Sequence, residues 1–317
     1  MFFLRGFLVS CSMAVIMYVG LSAIIGAASS MALRVAARGS AKSGADFLFL
    51  MRLSPLLFAM LVTVAFVVPS FLLLEPQHAI EPFGFGPLLL SIAGFLGVAW
   101  GLGNGVGALR RADRQIRAWT ITASSFEIQP RGAFLLVSRA ADVPPLAAAG
   151  ILKPKILVAR ETESVLNERE LRCALRHERE HVRRHDNLRK LLLRLIPFPG
   201  TGTLEQAWRE ASEMAADDAA VSNASEAVDL AAALVKLSRS VSLQPPAELT
   251  TALVHSPASA VNSRVERLLA WKEPARPRWS HRFLLSCSIT AVVLTAVASV
   301  YPQTLFFVHS ATEWLVR

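Results

Sequence analysis

Charge is scarce over long parts of this chain. Asp, Glu, Lys and Arg together make up 18% of the 317 residues, against 53% apolar residues. That balance excludes an ordinary soluble enzyme and places the chain among integral membrane proteins. Cysteine is nearly absent: Cys11 and Cys287 lie in apolar runs and Cys173 in a charged helical stretch, so no disulfide framework is encoded. The run Leu8-Val9-Ser10-Cys11 imitates a lipoprotein cleavage box, but most of the apolar run follows the cysteine, so it reads as part of a span. Acidic residues number 24 against 33 Lys and Arg, a net charge of +9. The basic residues crowd beside apolar runs, and no basic patch interleaved with aromatics occurs. The excess therefore reads as positive-inside loops facing anionic lipid, with no direct nucleic-acid contact. A membrane-tethered DNA-binding protein would need a recognition element that is not found.

The apolar runs set the expected topology. Phe7 to Ala28 is uncharged and long enough to cross a bilayer, since ~20 helical residues cover a ~30 Å hydrocarbon core. Ser54–Leu74 is a second expected span, with Pro55 in its first turn, and Phe83–Leu109 a third. Arg34, Arg38, Lys42 and Arg52 mark the loop 29–53 as cytoplasmic, whereas the connection carrying Glu75 and Glu81 has no Lys or Arg and is expected outside. Arg110, Arg111, Arg114 and Arg117 return the chain to the cytoplasm. Gly94, Gly97, Gly101, Gly103, Gly105 and Gly107 suit close helix contact; a phosphate loop is the wrong reading, because no strand precedes them and no Lys follows in register. A basic, Trp-containing approach, Trp271 to Arg282, leads to a fourth expected span at about Phe283–Tyr301, with a short external tail.

Residues 118–275 are the soluble-looking part. Ala133–Ser138 and Lys155–Val158 read as strands, with Pro144-Pro145 and Gly150 as breakers between them. The second strand is expected either to offer an edge to an extended substrate or to cover the following helix as an ordinary sheet strand. Leu188–Ile196 mixes leucines with cations and reads either as a surface-lying membrane helix or as a core helix.

The chemistry is concentrated in Arg176-His177-Glu178-Arg179-Glu180-His181-Val182-Arg183-Arg184-His185-Asp186. Residues four apart share a helix face, so His177 and His181 can both address one ion, with Glu178 beside the open coordination position. Asn167 with Glu170 predicts a capping box, and Leu171, Ala174, Leu175 and Val182 an apolar stripe, giving a helix from about Glu168 to Asp186. In a second helical stretch, Trp208–Val221, Glu213 and Asp217 share a face. Glu213 is the candidate third ligand, and Asp217 a candidate acceptor for a ligand imidazole N–H. His185 and Glu210 are the rivals for the third position, and His255 is a candidate for polarising a substrate; a surface histidine is the plainer reading of the last.

Gly150–Val158, then Asn167–Leu171, then H-E-x-x-H-x-x-R-x-D, then E-x-x-A-D over Glu213–Asp217 resemble the membrane metallopeptidase family of the β-lactam sensor-transducers, the antirepressor proteases. A more distant similarity is to HtpX-like and CAAX-processing membrane proteases. The likeness runs from about Pro144 to Ala220. It implies one zinc ion per chain held by His177, His181 and Glu213, Glu178 as the catalytic base, and Arg184, Asp186 and Asp217 in support. One departure is visible: the two variable positions inside the motif, commonly a leucine and a small or hydroxylated residue, are Arg179 and Glu180. No Ser-x-x-Lys occurs in the chain, so the acyl-serine chemistry of the family's β-lactam sensor is not expected here.

The expected fold is a mainly α membrane protein of four transmembrane helices, with an α+β gluzincin-like zinc peptidase domain inserted between the third and fourth. The expected domains are 1–117, 118–275 and 276–317. The expected setting is a bacterial inner membrane with both termini external and the peptidase domain cytoplasmic. The expected function is a zinc endopeptidase acting on a regulatory protein substrate, such as a transcriptional repressor, in a signalling role. The competing reading is a catalytically silent membrane scaffold that keeps a structural zinc site. Homodimer formation is left open.

Overall fold

The structure is a computed structural model that describes residues 2–76, 84–121, 124–126, 134–138, 143–196, 202–240, 249–253, 258–272 and 299–314. It opens with α1 (Phe2–Ala27), α2 (Ser29–Ala36) and α3 (Ala41–Val62). A π-helical turn at Thr63–Val67 leads into α4 (Val68–Leu74), and α5 (Phe85–Ile121) follows. Among the described residues, three helical runs are long and apolar enough to cross a membrane: Phe2–Ala27, Ala41–Leu74 and Phe85–Ile121. The expected fourth span falls largely outside the described residues; residues 299–314 are helical, so the helix continues past Tyr301 into what reads from sequence as a tail.

Two compact units result. The first comprises Met1–Ala27, Leu53–Ala99 and Pro274–Arg317. Apolar packing in it is supplemented by hydroxyls: Ser12 donates to the Pro87 carbonyl at 2.7 Å, and Ser91 donates to the Leu8 carbonyl at 2.8 Å, tying α1 to α5. Such bonds act as polar fasteners where water is scarce. Gly94 is required here, because a Cβ would run into Val15. Tyr301 donates to the Ala65 carbonyl at 2.7 Å, giving a partner to the backbone within the π turn.

The second unit comprises Ala28–Arg52 and Trp100–Glu273. It therefore includes residues that read from sequence as a plain cytoplasmic loop. Residues 29–53 are largely helical, and Pro55 lies inside α3, not in its first turn, because the helix begins at Ala41. A proline there costs the helix one amide donor.

After α5 come β1 (Ser124–Phe126), β2 (Phe134–Ser138), β3 (Leu146–Ala149), β4 (Lys155–Ala159), α6 (Arg160–Val165), α7 (Glu168–Arg183) and α8 (Asp186–Leu195). Then follow α9 (Gly202–Ala220), α10 (Ala224–Ser240), β5 (Thr250–Ala252) and α11 (Ala258–Leu269). The sheet order is β1-β2-β4-β3-β5. Strand β4 runs parallel to β2 and antiparallel to β3, and β5 pairs antiparallel with β3 through Ala147↔Ala252 and Ala149↔Thr250. Of the two readings of β4, the interior position supports the ordinary sheet strand and not the substrate edge; the edge on the β3 side belongs to β5. Gly150 ends β3 at φ 93°, a left-handed conformation that a side chain would strain.

Helix α7 begins where the sequence signals it, at Glu168, but ends at Arg183 and not at Asp186, because His185 turns left-handed and Asp186 opens α8. Asn167 accepts from the Arg169 and Glu170 amides, and the Glu170 carboxylate accepts from the Asn167 amide, completing the capping box. Its apolar stripe enters a core with Leu146, Ile156, Val158, Leu230, Leu234 and Leu253. Helix α8 is a packed helix: Leu191 and Leu195 meet Ala108 and Ala112 of α5, and a Cβ on Gly105 would strike Leu195. Asp46 of α3 pairs with Arg189 at 2.7 Å, and Arg52 donates to the Ile196 carbonyl.

Candidate metal centre

Helix α7 places His177, Glu178 and His181 on its buried face, and α9 brings Glu213 and Asp217 against them. His177 and Glu178 are fully buried, and His181 is 2% exposed. The two imidazole Nε2 atoms lie 3.1 Å apart; Glu213 Oε2 is 3.5 Å from that of His177 and Oε1 is 3.6 Å from that of His181. Ligands about 2.1 Å from a tetrahedral ion sit roughly 3.4 Å from one another, so these three side chains are spaced as the donors of one zinc ion would be.

The outward nitrogens are held from behind. His181 Nδ1 is hydrogen-bonded to Asp186 Oδ2 at 2.7 Å, and His177 Nδ1 faces Asp217 Oδ1 at 2.9 Å. A carboxylate behind each ring orients the imidazole and leaves Nε2 free for the ion. Asp217 is itself clamped by Arg264 of α11, whose Nε and Nη2 donate to its two oxygens at 2.8 and 2.6 Å. Arg264 also approaches Glu213 Oε2 at 3.1 Å and donates to the Leu253 carbonyl at 2.9 Å. Arg184 is buried between Asp46 at 3.5 Å and Asp186 at 3.7 Å.

Glu178 has a different environment. The Ala148 amide of β3 donates to its Oε2 at 2.8 Å, and Thr251 Oγ1 of β5 lies 3.4 Å from the same oxygen. Its Oε1 has no hydrogen-bond partner among the described residues. Asn187 steadies β3 by donating to the Ala148 and Gly150 carbonyls at 3.1 and 3.2 Å, and Lys190 donates to the Thr250 carbonyl at 2.6 Å.

Electrostatics follow from this packing. Burial raises the Glu178 carboxyl above its usual value, only partly offset by the charges of His177 and His181. Burial opposes charge on His181, but Glu213 and Asp186 outweigh it and lift the imidazole to about 10. His177 is raised in the same way, against burial, by Asp217 and Glu213. Burial also opposes ionisation of Asp217 and Glu213, yet Arg264 with the imidazoles holds Asp217 at about 2 and Glu213 well below the carboxylate range. Glu213 and Asp217 are thus held charged beside the two histidines, whereas burial raises Glu178.

The rival ligands stand elsewhere. Glu210 is exposed and accepts from Gln206 at 3.0 Å. His185 is exposed at φ 54°, a left-handed residue that turns the chain from α7 into α8. His255 lies outside the described residues. Asp218 pairs with Arg267 at 2.7 Å. The unusual motif positions are accommodated away from the candidate ligands: Arg179 is exposed, and Glu180 takes two 2.6 Å hydrogen bonds from Arg183. Sequence reasoning missed Arg264, Asn187 and Asp46. Arg264 lies in the basic segment Ser263–Leu269 and Asp46 among the cations of residues 29–54, and neither has a partner nearby in sequence that would mark it.

Residues 115–268 match the family model described as BlaR1 peptidase M56. No curated protein matches the chain.

Proposed function

Because residues 115–268 belong to the BlaR1 peptidase M56 family, a family of membrane metallopeptidases, we propose that this chain is an integral membrane zinc endopeptidase that cleaves a cytoplasmic or membrane-proximal regulatory protein. The observation that carries the proposal is the convergence of His177, His181 and Glu213 within 4.8 Å of one another, beside a buried Glu178 that is not needed as a ligand. Nε2 of His177, Nε2 of His181 and the Glu213 carboxylate would hold one zinc ion. Bound there, zinc supplies Lewis acidity, polarising a peptide carbonyl and bringing deprotonation of water to near-neutral pH.

The chain's own groups do the rest. Glu178 is the general base: Ala148 N–H fixes Oε2, leaving Oε1 to take a proton from water and pass it to the leaving amine. Burial raises its pKa above the usual carboxylate value, the direction that favours return of the proton to the leaving amine. Asp217 and Asp186 keep the ligand imidazoles oriented, and Arg264 keeps Asp217 charged. A structural zinc site would not require a carboxylate with an unengaged oxygen at Glu178, which favours the enzyme over the scaffold.

The charge pattern of the connecting segments supports an inner-membrane orientation with the peptidase unit in the cytoplasm and both termini outside. An antirepressor role, with a transcriptional repressor as substrate, follows from the family likeness. The test is comparative proteomics of cells carrying the native chain or Glu178→Gln, searching for new protein termini: a repressor or other regulator cut only by the native chain supports the proposal, and identical termini in both strains contradict it.

A further inference from the structure

The first unit contains a second convergence of metal-ligating side chains. Glu75, just past α4, lies near His309 and Glu313 of the helix at residues 299–314, with one ligand atom from each within 4.8 Å of the others. His309 Nε2 stands 3.8 Å from Glu75 Oε2 and 3.7 Å from Glu313 Oε1. Both separations are too long for direct hydrogen bonds. They are within a few tenths of an ångström of the roughly 3.4 Å expected between two donors of one tetrahedral ion.

Two further observations point to a ligand. His309 is 9% exposed, and its Nε2, the nitrogen turned to both carboxylates, makes no hydrogen bond among the described residues. A buried imidazole left in this state is costly unless something engages it. Glu75 is also held in place: Arg5 of α1 pairs with its Oε1 at 3.2 Å, which leaves Oε2 turned to His309. Glu313, at i+4 from His309 on the same helical face, is half exposed and gives the group an open side.

We propose that Glu75, His309 and Glu313 form a second metal site, for a first-row divalent cation of the zinc class. One imidazole nitrogen and two carboxylate oxygens suit Zn2+ or Mn2+; Mg2+ and Ca2+ favour oxygen alone, and Cu+ favours sulfur. The site joins the end of the second span to the last described helix, so an ion there would fasten those two elements together. On the topology proposed above, this end faces outside. The metal site itself does not depend on that reading or on the peptidase activity.

The test is zinc content of the full-length protein in lipid nanodiscs, equilibrated with micromolar free Zn2+. The native chain is expected to hold about two equivalents, His309→Gln one, His181→Ala one, and the double variant none. Glu313→Gln, an exposed change that leaves the fold intact, is expected to weaken zinc binding at this site at least tenfold and decides the matter if His309→Gln does not fold. Equal zinc content and affinity in the native, His309→Gln and Glu313→Gln proteins would overturn the second site, whatever happens in His181→Ala. Loss of zinc in His309→Gln with none lost in His181→Ala would instead uphold this site and contradict the peptidase site.

Discussion

Asp217 faces His177 across 2.9 Å while Arg264 grips the same carboxylate through two nitrogens. His177, a proposed ligand, is therefore oriented by an acid that is itself held charged from a third helix, and the candidate metal centre draws on α7, α9 and α11 together. Removing either member should loosen the site without removing a ligand.

For Asp217→Asn and Arg264→Met, the expected result is a roughly 10–100-fold loss of zinc affinity, the usual effect of losing a carboxylate behind a ligand imidazole. Competition with a chromophoric chelator measures it. Activity at saturating zinc should recover in large part, whereas a Glu178 variant should not recover at any zinc concentration.

The capping box makes a separate prediction. Asn167→Ala leaves the Arg169 and Glu170 amides without their side-chain acceptor and should destabilise the protein by about 1 kcal/mol, read as a lowered melting temperature. Because the cap lies at the far end of α7 from His181, zinc stoichiometry should be unchanged.

Orientation is tested by reporter fusions. Fusions after His78 and after Arg317 should report the external side, and one after Ser125 the cytoplasm. A cytoplasmic signal after His78 would reverse the assignment drawn from Arg34, Arg38, Lys42 and Arg52 against Glu75 and Glu81.

What the sequence made legible was local. Helix α7 announces itself through Asn167, Glu170 and its stripe, and the spacing of His177 and His181 needs nothing beyond helical periodicity. Strands β2 and β4 were visible because Val, Ile, Leu and Phe dominate them. Strand β3 was not, because Leu146-Ala147-Ala148-Ala149 has little intrinsic strand preference and is held by burial between β4 and β5. Strand β5, only three residues long, carries no pattern of its own. The two readings of β4, substrate edge or ordinary covering strand, could not be separated without these two strands; the sheet order decides for the second. Long-range charge pairing was equally invisible: the contacts of Asp46 with Arg184 and Arg189, and of Arg264 with Asp217, join residues far apart in the chain and leave no periodic trace. Helix α5 runs to Ile121, well past Arg110 to Arg117, where the expected third span has already ended, because a helix need not end where an apolar run does.

The central claim is that Glu178 moves protons while His177, His181 and Glu213 hold the ion. Its most direct test is zinc content and substrate cleavage, or autocleavage, measured side by side in native protein and Glu178→Gln. That substitution keeps the shape of the side chain and removes its ability to accept a proton, and loss of a general base costs about 10²–10⁴-fold in rate. The account predicts one full equivalent of zinc at the peptidase site of Glu178→Gln with cleavage reduced by that factor; normal cleavage with zinc bound would contradict it.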